Sequence, residues 1–245
     1  IKDINNNLSF DIIILRNMLE HIPDPITLLK DISTILNYNG LIMIEVPDVE
    51  DHLIKGMVEG FHFQHYQYFS EKSIRHAINE IECDVIDLVK AEGNLYVTLS
   101  NSQSHLINEI SEHTNKSIDQ NLESFNNILK TNYRFLHTRI EQEKKIGNKI
   151  VLWGAGGACY SVLKCYELNC NDIDFLLDSN KDKQSMKFID NKLSISSPDV
   201  ITGQNINCII ITSMFYKGIC DYIKNNQLAN SAIIFDPIAR EIDLK

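Results

Sequence analysis

Twice in this chain a short apolar run, a helical stretch and a second apolar run follow one another. That order restricts the fold more than any other feature of the sequence. In the first instance Phe10 to Leu15 (FDIIIL) has strand length, DPITLLKDISTIL has helical spacing, and Leu41 to Pro47 (LIMIEVP) is a second buried strand. Asp24-Pro25 predicts the helix start, with Pro at the first helical position, and Asn39-Gly40 predicts its end. Strand–helix–strand units of this kind build parallel, doubly wound sheets. Further on, CDVIDLV and NLYVTLS flank Lys90-Ala91-Glu92-Gly93 and predict an antiparallel hairpin that closes the sheet.

The second instance begins near residue 148. NKIVLWGAGGACYSVLKCYEL predicts a strand, a tight glycine turn and a helix, and IDFLLDSN, NCIIITS and SAIIFDP add three more strands. Together they make a compact Rossmann-like α/β unit of about a hundred residues. Between the two blocks, residues 101–146 contain neither Pro nor Gly, and their apolar residues recur close to a helical period. One long helix or two consecutive ones fit that pattern. The expected organisation is therefore α/β throughout: residues 1–100, a helical connector over 101–147, and a second, smaller domain over 148–245.

Charge bounds the partners. Residues 1–100 carry 7 Lys and Arg against 16 Asp and Glu, so nearly all of the net charge of −10 lies there. An acidic surface of this kind excludes nucleic acid and anionic membranes as expected partners, because phosphate contacts need clustered Lys and Arg. The apolar runs are too short for a membrane helix. Six cysteines without a C-x-x-C pair point to reduced, structural thiols in a cytoplasmic protein. His52, His76, His105, His113 and His137 show no metal-ligand spacing, and no metal site is expected.

Three places can carry chemistry. Arg16 and Asn17 follow the first strand, and ligands of open α/β sheets sit beyond the carboxyl ends of strands; a plain strand–helix loop, with Glu20 and His21 satisfying nearby backbone groups, fits equally well. The stretch GFHFQHYQYFS, Gly60 to Ser70, holds two histidines and five aromatic residues. It is either a structural aromatic loop or a place for proton transfer, for which an imidazole of near-neutral pKa is suited. Gly154, Gly156 and Gly157 follow a strand and open a helix, and Asp178 closes the next strand. A phosphate at the helix N-terminus and a ribose on the acid would explain this, as would close strand–helix packing; Cys159 stands where a third glycine is usual.

The stretch from Phe10 to Pro47 resembles the fourth through fifth strands of class I methyltransferases that use S-adenosylmethionine, through Leu19-Glu20-His21, Asp24-Pro25, Asn39-Gly40 and Glu45-Val46-Pro47. The resemblance narrows to sugar C-methyltransferases acting on nucleotide-linked 4-keto sugars, in which the fifth strand is followed by Tyr-His-Glu-His and then Tyr-Phe-Ser. Here those positions are His62, Phe63, Gln64 and His65, then Tyr68-Phe69-Ser70. The resemblance implies that His65 is the base, that Gln64 and His62 make polar contacts to the acceptor, and that Tyr68 lines its site. It also implies S-adenosylmethionine as cofactor, with Arg16, Asn17 and Asp3 on the cofactor side. The family's glycine-rich cofactor loop follows its first strand, so this chain is expected to be a fragment whose first domain is the C-terminal half of the methyltransferase sheet.

The second block is similar to the C-terminal domain of the same enzymes, with Ile173-Asp174, Asp178, Asn180, Lys183-Gln184 and Pro198 in register. The family's Lys and Gly at the end of the glycine turn are Ala158 and Cys159 here. The resemblance implies that this domain, through Gly154, Gly156 and Asp178, helps to bind a nucleotide sugar in surface-polysaccharide or natural-product biosynthesis. Two other readings stay open: an NAD- or sugar-nucleotide-binding oxidoreductase or epimerase, and a non-catalytic nucleotide-sugar-binding module.

Overall fold

The computed structural model describes residues 8–61, 63–101, 118–188, 192–204, 206–228 and 232–242. Contacts divide the chain into two units, residues 1–54 with 63–121 and residues 55–62 with 122–245. Residues 55–62 thus belong with the second unit, although their sequence neighbours on both sides belong with the first. Among the described residues no helix is long and apolar enough to cross a membrane.

The first unit is built on β1 (Phe10–Arg16), α1 (Pro25–Thr34), β2 (Leu36–Pro47), α2 (Val49–Lys55), α3 (Glu71–Ile78), β3 (Asp84–Ala91) and β4 (Asn94–Ser100). Its four strands run in the order β1-β2-β4-β3, with β1 parallel to β2 and the β3–β4 hairpin antiparallel. Along β2 the residues Ile42, Ile44 and Val46 are buried, as the period of two requires. They meet Leu29 and Ile32 of α1, Ile74 and Ile78 of α3, and Leu95, Val97 and Leu99 of β4 in one apolar cluster. α1 starts where expected: Asp24 accepts from the Thr27 amide (3.1 Å) and from its hydroxyl (2.7 Å), with Pro25 at the first position.

The helix end differs from the expectation. α1 stops at Thr34, and Asn39-Gly40 lies within β2 rather than capping a helix. Asn39 has a φ of 60°, and a Cβ on Gly40 would come within 2.8 Å of the Asn37 carbonyl oxygen. The pair therefore forms a tight kink, and the register with β1 slips there, Phe10 facing Leu36 but Ile12 facing Leu41.

The second unit contains most of α4 (Ile118–Lys145), then β5 (Lys149–Trp153), α5 (Gly157–Cys165), β6 (Phe175–Leu177), β7 (Lys187–Phe188), β8 (Leu193–Ser196), β9 (Ile206–Ile211), α6 (Tyr216–Asn225), β10 (Ile233–Phe235) and β11 (Glu241–Ile242). The sheet order is β11-β10-β9-β5-β6-β8-β7. β10, β9, β5, β6 and β8 are parallel, and the two short edge strands pair antiparallel. The four expected strands are present; β8 and the two-residue edges add to them. β5 lies at the centre with the chain winding outward in both directions, so its carboxyl end is a topological switch point. One face packs on Leu136 and Ile140 of α4 and on α5, the other on Cys220 and Ile223 of α6. All six cysteines are free thiols.

Residues 55–61 pack into this second unit. Val58 is in its core, and the 3-10 turn Val58–Gly60 lies against α5. Ser161 Oγ donates to the Phe61 carbonyl (2.5 Å), and the Phe61 ring meets Phe125 edge-on at 5.4 Å. The same turn buries Glu59, whose Oε2 has no hydrogen-bond partner among the described residues.

Candidate functional site

The first candidate lies beyond the carboxyl ends of β1 and β2. The turn from Leu19 to Pro23 and the loop from Gln64 to Gln67 are pinned together by backbone groups. Tyr66 and Gln67 amides donate to the Glu20 carbonyl (2.8 and 3.1 Å), Gln67 Nε2 donates to the Pro23 carbonyl (3.2 Å), and His21 Nδ1 bonds the Gln64 carbonyl (2.9 Å). On the C-terminal side the loop is held by the buried Phe69 and by Ser70, which caps α3 in a reciprocal box with Ser73. The result sets His65 edge-on to His21, with ring centroids 4.9 Å apart, and to Tyr68 at 5.7 Å.

Beneath the imidazoles lies Glu20, only 2% exposed, with Oε1 3.9 Å from His21 Nε2. Burial raises the Glu20 carboxyl above its ordinary value and the nearby Glu45 adds to the rise, while a backbone hydrogen bond and His21 oppose it. Burial also raises the Tyr68 phenol, which stays a neutral donor near pH 7. Gln64 contributes its carbonyl to His21, and its side chain is exposed. Arg16 ends β1 and pairs its Nε with Glu45 Oε2 at 2.8 Å. Asn17, with a φ of 46°, turns the chain out of the strand. His62 and Asp3 lie outside the described residues.

The second candidate is at the switch point of the other sheet. Gly154, Gly156, Gly157, Asp178, Lys183 and Phe215 are among the residues lining a cavity of about 410 Å³. The two glycines singled out from the sequence differ in kind. Gly154 has a φ of 117°, and a Cβ there would sit 3.0 Å from Ser213 Cβ, so the fold itself requires glycine. Gly156 has an ordinary φ of −119°, and no atom lies within 4 Å of the position of its Cβ. The fold alone does not demand glycine there. Asp178 is committed to the loop: Oδ2 accepts from the Ala155 amide and from Lys183 Nζ (3.0 Å each), and Oδ1 accepts from the Asn180 amide (2.8 Å). Partial burial pushes its carboxyl up, but these hydrogen bonds and Lys183 outweigh it and hold the group below the usual range.

Residues 2–88 match the family model of a methyltransferase domain, and residues 93–231 match that of the C-methyltransferase C-terminal domain. The chain belongs to the C-methyltransferase family. No curated protein matches it. The histidine cluster falls inside the methyltransferase match and the glycine-lined cavity inside the C-terminal-domain match. As a methyltransferase the chain implies a methyl donor. Among the described residues of the first unit, Arg16 at the end of β1 is paired with Glu45, Asn17 turns the chain out of the strand, and no glycine-rich turn follows a strand. They do not by themselves fit a nucleoside-bearing donor.

Of the sequence-derived site residues, the structure gathers His65, Tyr68 and the Gln64 carbonyl around one point, and Gly154, Gly156 and Asp178 around another. Glu20 and His21, read from sequence as loop residues, stand with His65. Leu19-Glu20-His21 carries the family resemblance, but its nearness to His65 has no local signal, because His65 is 44 or 45 residues away and is brought near by the parallel pairing of β1 with β2.

Proposed function

We propose that this C-methyltransferase acts with S-adenosylmethionine on a nucleotide-linked 4-keto sugar, with His65 as the base. The observation that carries this reading is the locked imidazole pair. His21 is fixed through its Nδ1 on the Gln64 carbonyl, and His65 stands edge-on between it and Tyr68. His65 takes the proton from the carbon next to the sugar carbonyl, and the electron pair left behind moves onto the carbonyl oxygen as an enolate. The Tyr68 phenol donates to that oxygen, and the exposed Gln64 side chain reaches a sugar hydroxyl. Gln64 carries no charge where the resembled family has a carboxylate; the buried Glu20 offers the nearby carboxyl instead. Taken by itself, the cavity of the second unit suits a phosphoryl group over Gly156 and the N-terminus of α5.

The donor-binding half belongs, on this reading, to sequence outside this chain. Among the described residues β1 ends the sheet order, and Ile12 and Ile14 on it are 56% and 66% exposed, which suits a sheet face that a further element covers.

Proton abstraction can be tested without a methyl donor. In deuterium oxide the chain should exchange the hydrogen next to the carbonyl of a nucleoside-diphosphate 4-keto-6-deoxy sugar, followed by proton NMR. His65→Ala should abolish the catalysed exchange. Equal exchange by the variant would remove His65 as base, and titration with NAD separates the oxidoreductase reading, which requires NAD to bind the second unit.

A further inference from the structure

Glu20, His21 and His65 each present one ligand atom, and the three atoms lie within 4.8 Å of one another. The Gln64 carbonyl can only accept, so the 2.9 Å bond makes Nδ1 the protonated nitrogen of His21. The neutral ring then carries its lone pair on Nε2, turned toward the Glu20 carboxylate at 3.9 Å, a separation that a cation can bridge. The other Glu20 oxygen, Oε2, is buried and has no hydrogen-bond partner among the described residues. A buried carboxylate oxygen left without a partner is costly, and a metal ion is one of the few groups that satisfies it.

We propose that Glu20, His21 and His65 form a binding site for a divalent transition metal, zinc above all. Two imidazoles and a carboxylate are a zinc donor set, and three protein ligands leave a fourth position open to a small molecule. The His21 Nδ1–H donated to a backbone carbonyl is the outer-shell bond by which metal-bound histidines are oriented. Ligand atoms about 2.1 Å from a tetrahedral zinc lie roughly 3.4 Å from each other, so the cluster closes by about an ångström on binding. The His21 side chain is 38% exposed and gives the ion a way in. A nitrogen that holds zinc cannot accept a proton, so zinc competes with the proton transfer proposed above. That consequence rests on the base assignment; the binding does not.

The test is calorimetric titration of the chain with zinc chloride, paired with absorption spectra of the cobalt(II) form. One zinc per chain is expected, with weakening of at least about tenfold in Glu20→Gln and in His65→Ala. Glu20→Gln keeps the shape of the buried side chain, and His65→Ala changes a loop residue, so the fold survives in at least one of them. Zinc should raise the melting temperature of the parent chain and leave that of His65→Ala unmoved. The cobalt form should show d–d bands from nitrogen and oxygen ligands without thiolate-to-cobalt charge transfer. No zinc binding, unchanged affinity in both variants, or a thiolate band assigning the ion to cysteines would each overturn the proposal.

Discussion

Glu59 offers a quantitative check on the second unit. It sits in the 3-10 turn against α5, 5% exposed, facing the Tyr166 phenol, Asp236 and Arg240. Arg240 does not neutralise it, because its guanidinium is spent on Asp236, at 2.7 and 2.8 Å. Burial above all, with Asp236 adding to it, raises the Glu59 carboxyl from 4.5 to about 7. The folded chain therefore keeps a proton between about pH 4.5 and pH 7 that the unfolded chain has lost. The contribution of this group to stability is fully present below pH 4.5 and is lost as pH rises to about 7, at about 1.4 kcal/mol per pH unit. Over the whole window the loss is on the order of 3 kcal/mol. Glu59→Gln removes the titration while keeping the shape of the side chain. The assay is urea unfolding from pH 5 to 8, followed by fluorescence of the single tryptophan. That residue is Trp153, buried in the same unit. The parent chain should lose stability relative to the variant as pH rises to about 7, and the difference should then level off. Subtraction removes Glu20 and Asp48, which are also raised by burial, since both chains share them. A difference that stays flat between pH 5 and 7, or a parent chain that loses stability relative to the variant as pH falls, would refute the neutral-acid assignment.

The two glycines should separate fold from ligand. Gly154→Ala, at a φ of 117° and against Ser213, should cost about 1–3 kcal/mol in urea unfolding. Gly156→Ala should cost about 1 kcal/mol or less yet weaken binding of a nucleoside diphosphate in calorimetry, because the added methyl enters the cavity. Leu136→Ala, fully buried between α4 and the second sheet, should destabilise that unit by about 2–5 kcal/mol by the same measurement. Ser70→Ala removes one half of the α3 capping box and should cost about 1 kcal/mol, read as lower helical stability by circular dichroism on heating.

Much of the fold was legible because its strands are apolar runs bounded by polar turns. β1, β5, β9 and β10 all lie where FDIIIL, KIVLW, CIII and AIIF predict them. In the sequence the Asn39-Gly40 kink reads as a helix end, because a left-handed Asn or Gly serves both turns. Only the pairing with β1 separates them. β8 is four residues, and β7 and β11 are two each, too short to show a period. The burial of Glu20 and Glu59 had no local signal, since each owes it to elements distant in sequence.

The series Asp178, Asn180, Lys183, Gln184 shows how a motif read for binding also serves the fold. Asn180 gives its amide to Asp178 Oδ1, Lys183 gives its ammonium to Oδ2, and Gln184 Nε2 donates to the Asp178 carbonyl at 3.0 Å. The Ala155 amide closes the ring of donors from the glycine loop. Asp174, four residues earlier, does the same work at the other end of β6, accepting from the Ile150 amide at 2.8 Å. These polar residues therefore clamp β6 and its exit loop onto β5, and the spacing that signals a ribose-binding acid is here a means of shaping the cavity wall. A dinucleotide would depend for its ribose contact on the one acceptor position of Asp178, on Oδ1, that the clamp leaves open. A sugar nucleotide laid over Gly156 would not, and Lys183, already at the cavity edge, can turn its ammonium to a phosphate with Asp178 still held by two backbone amides.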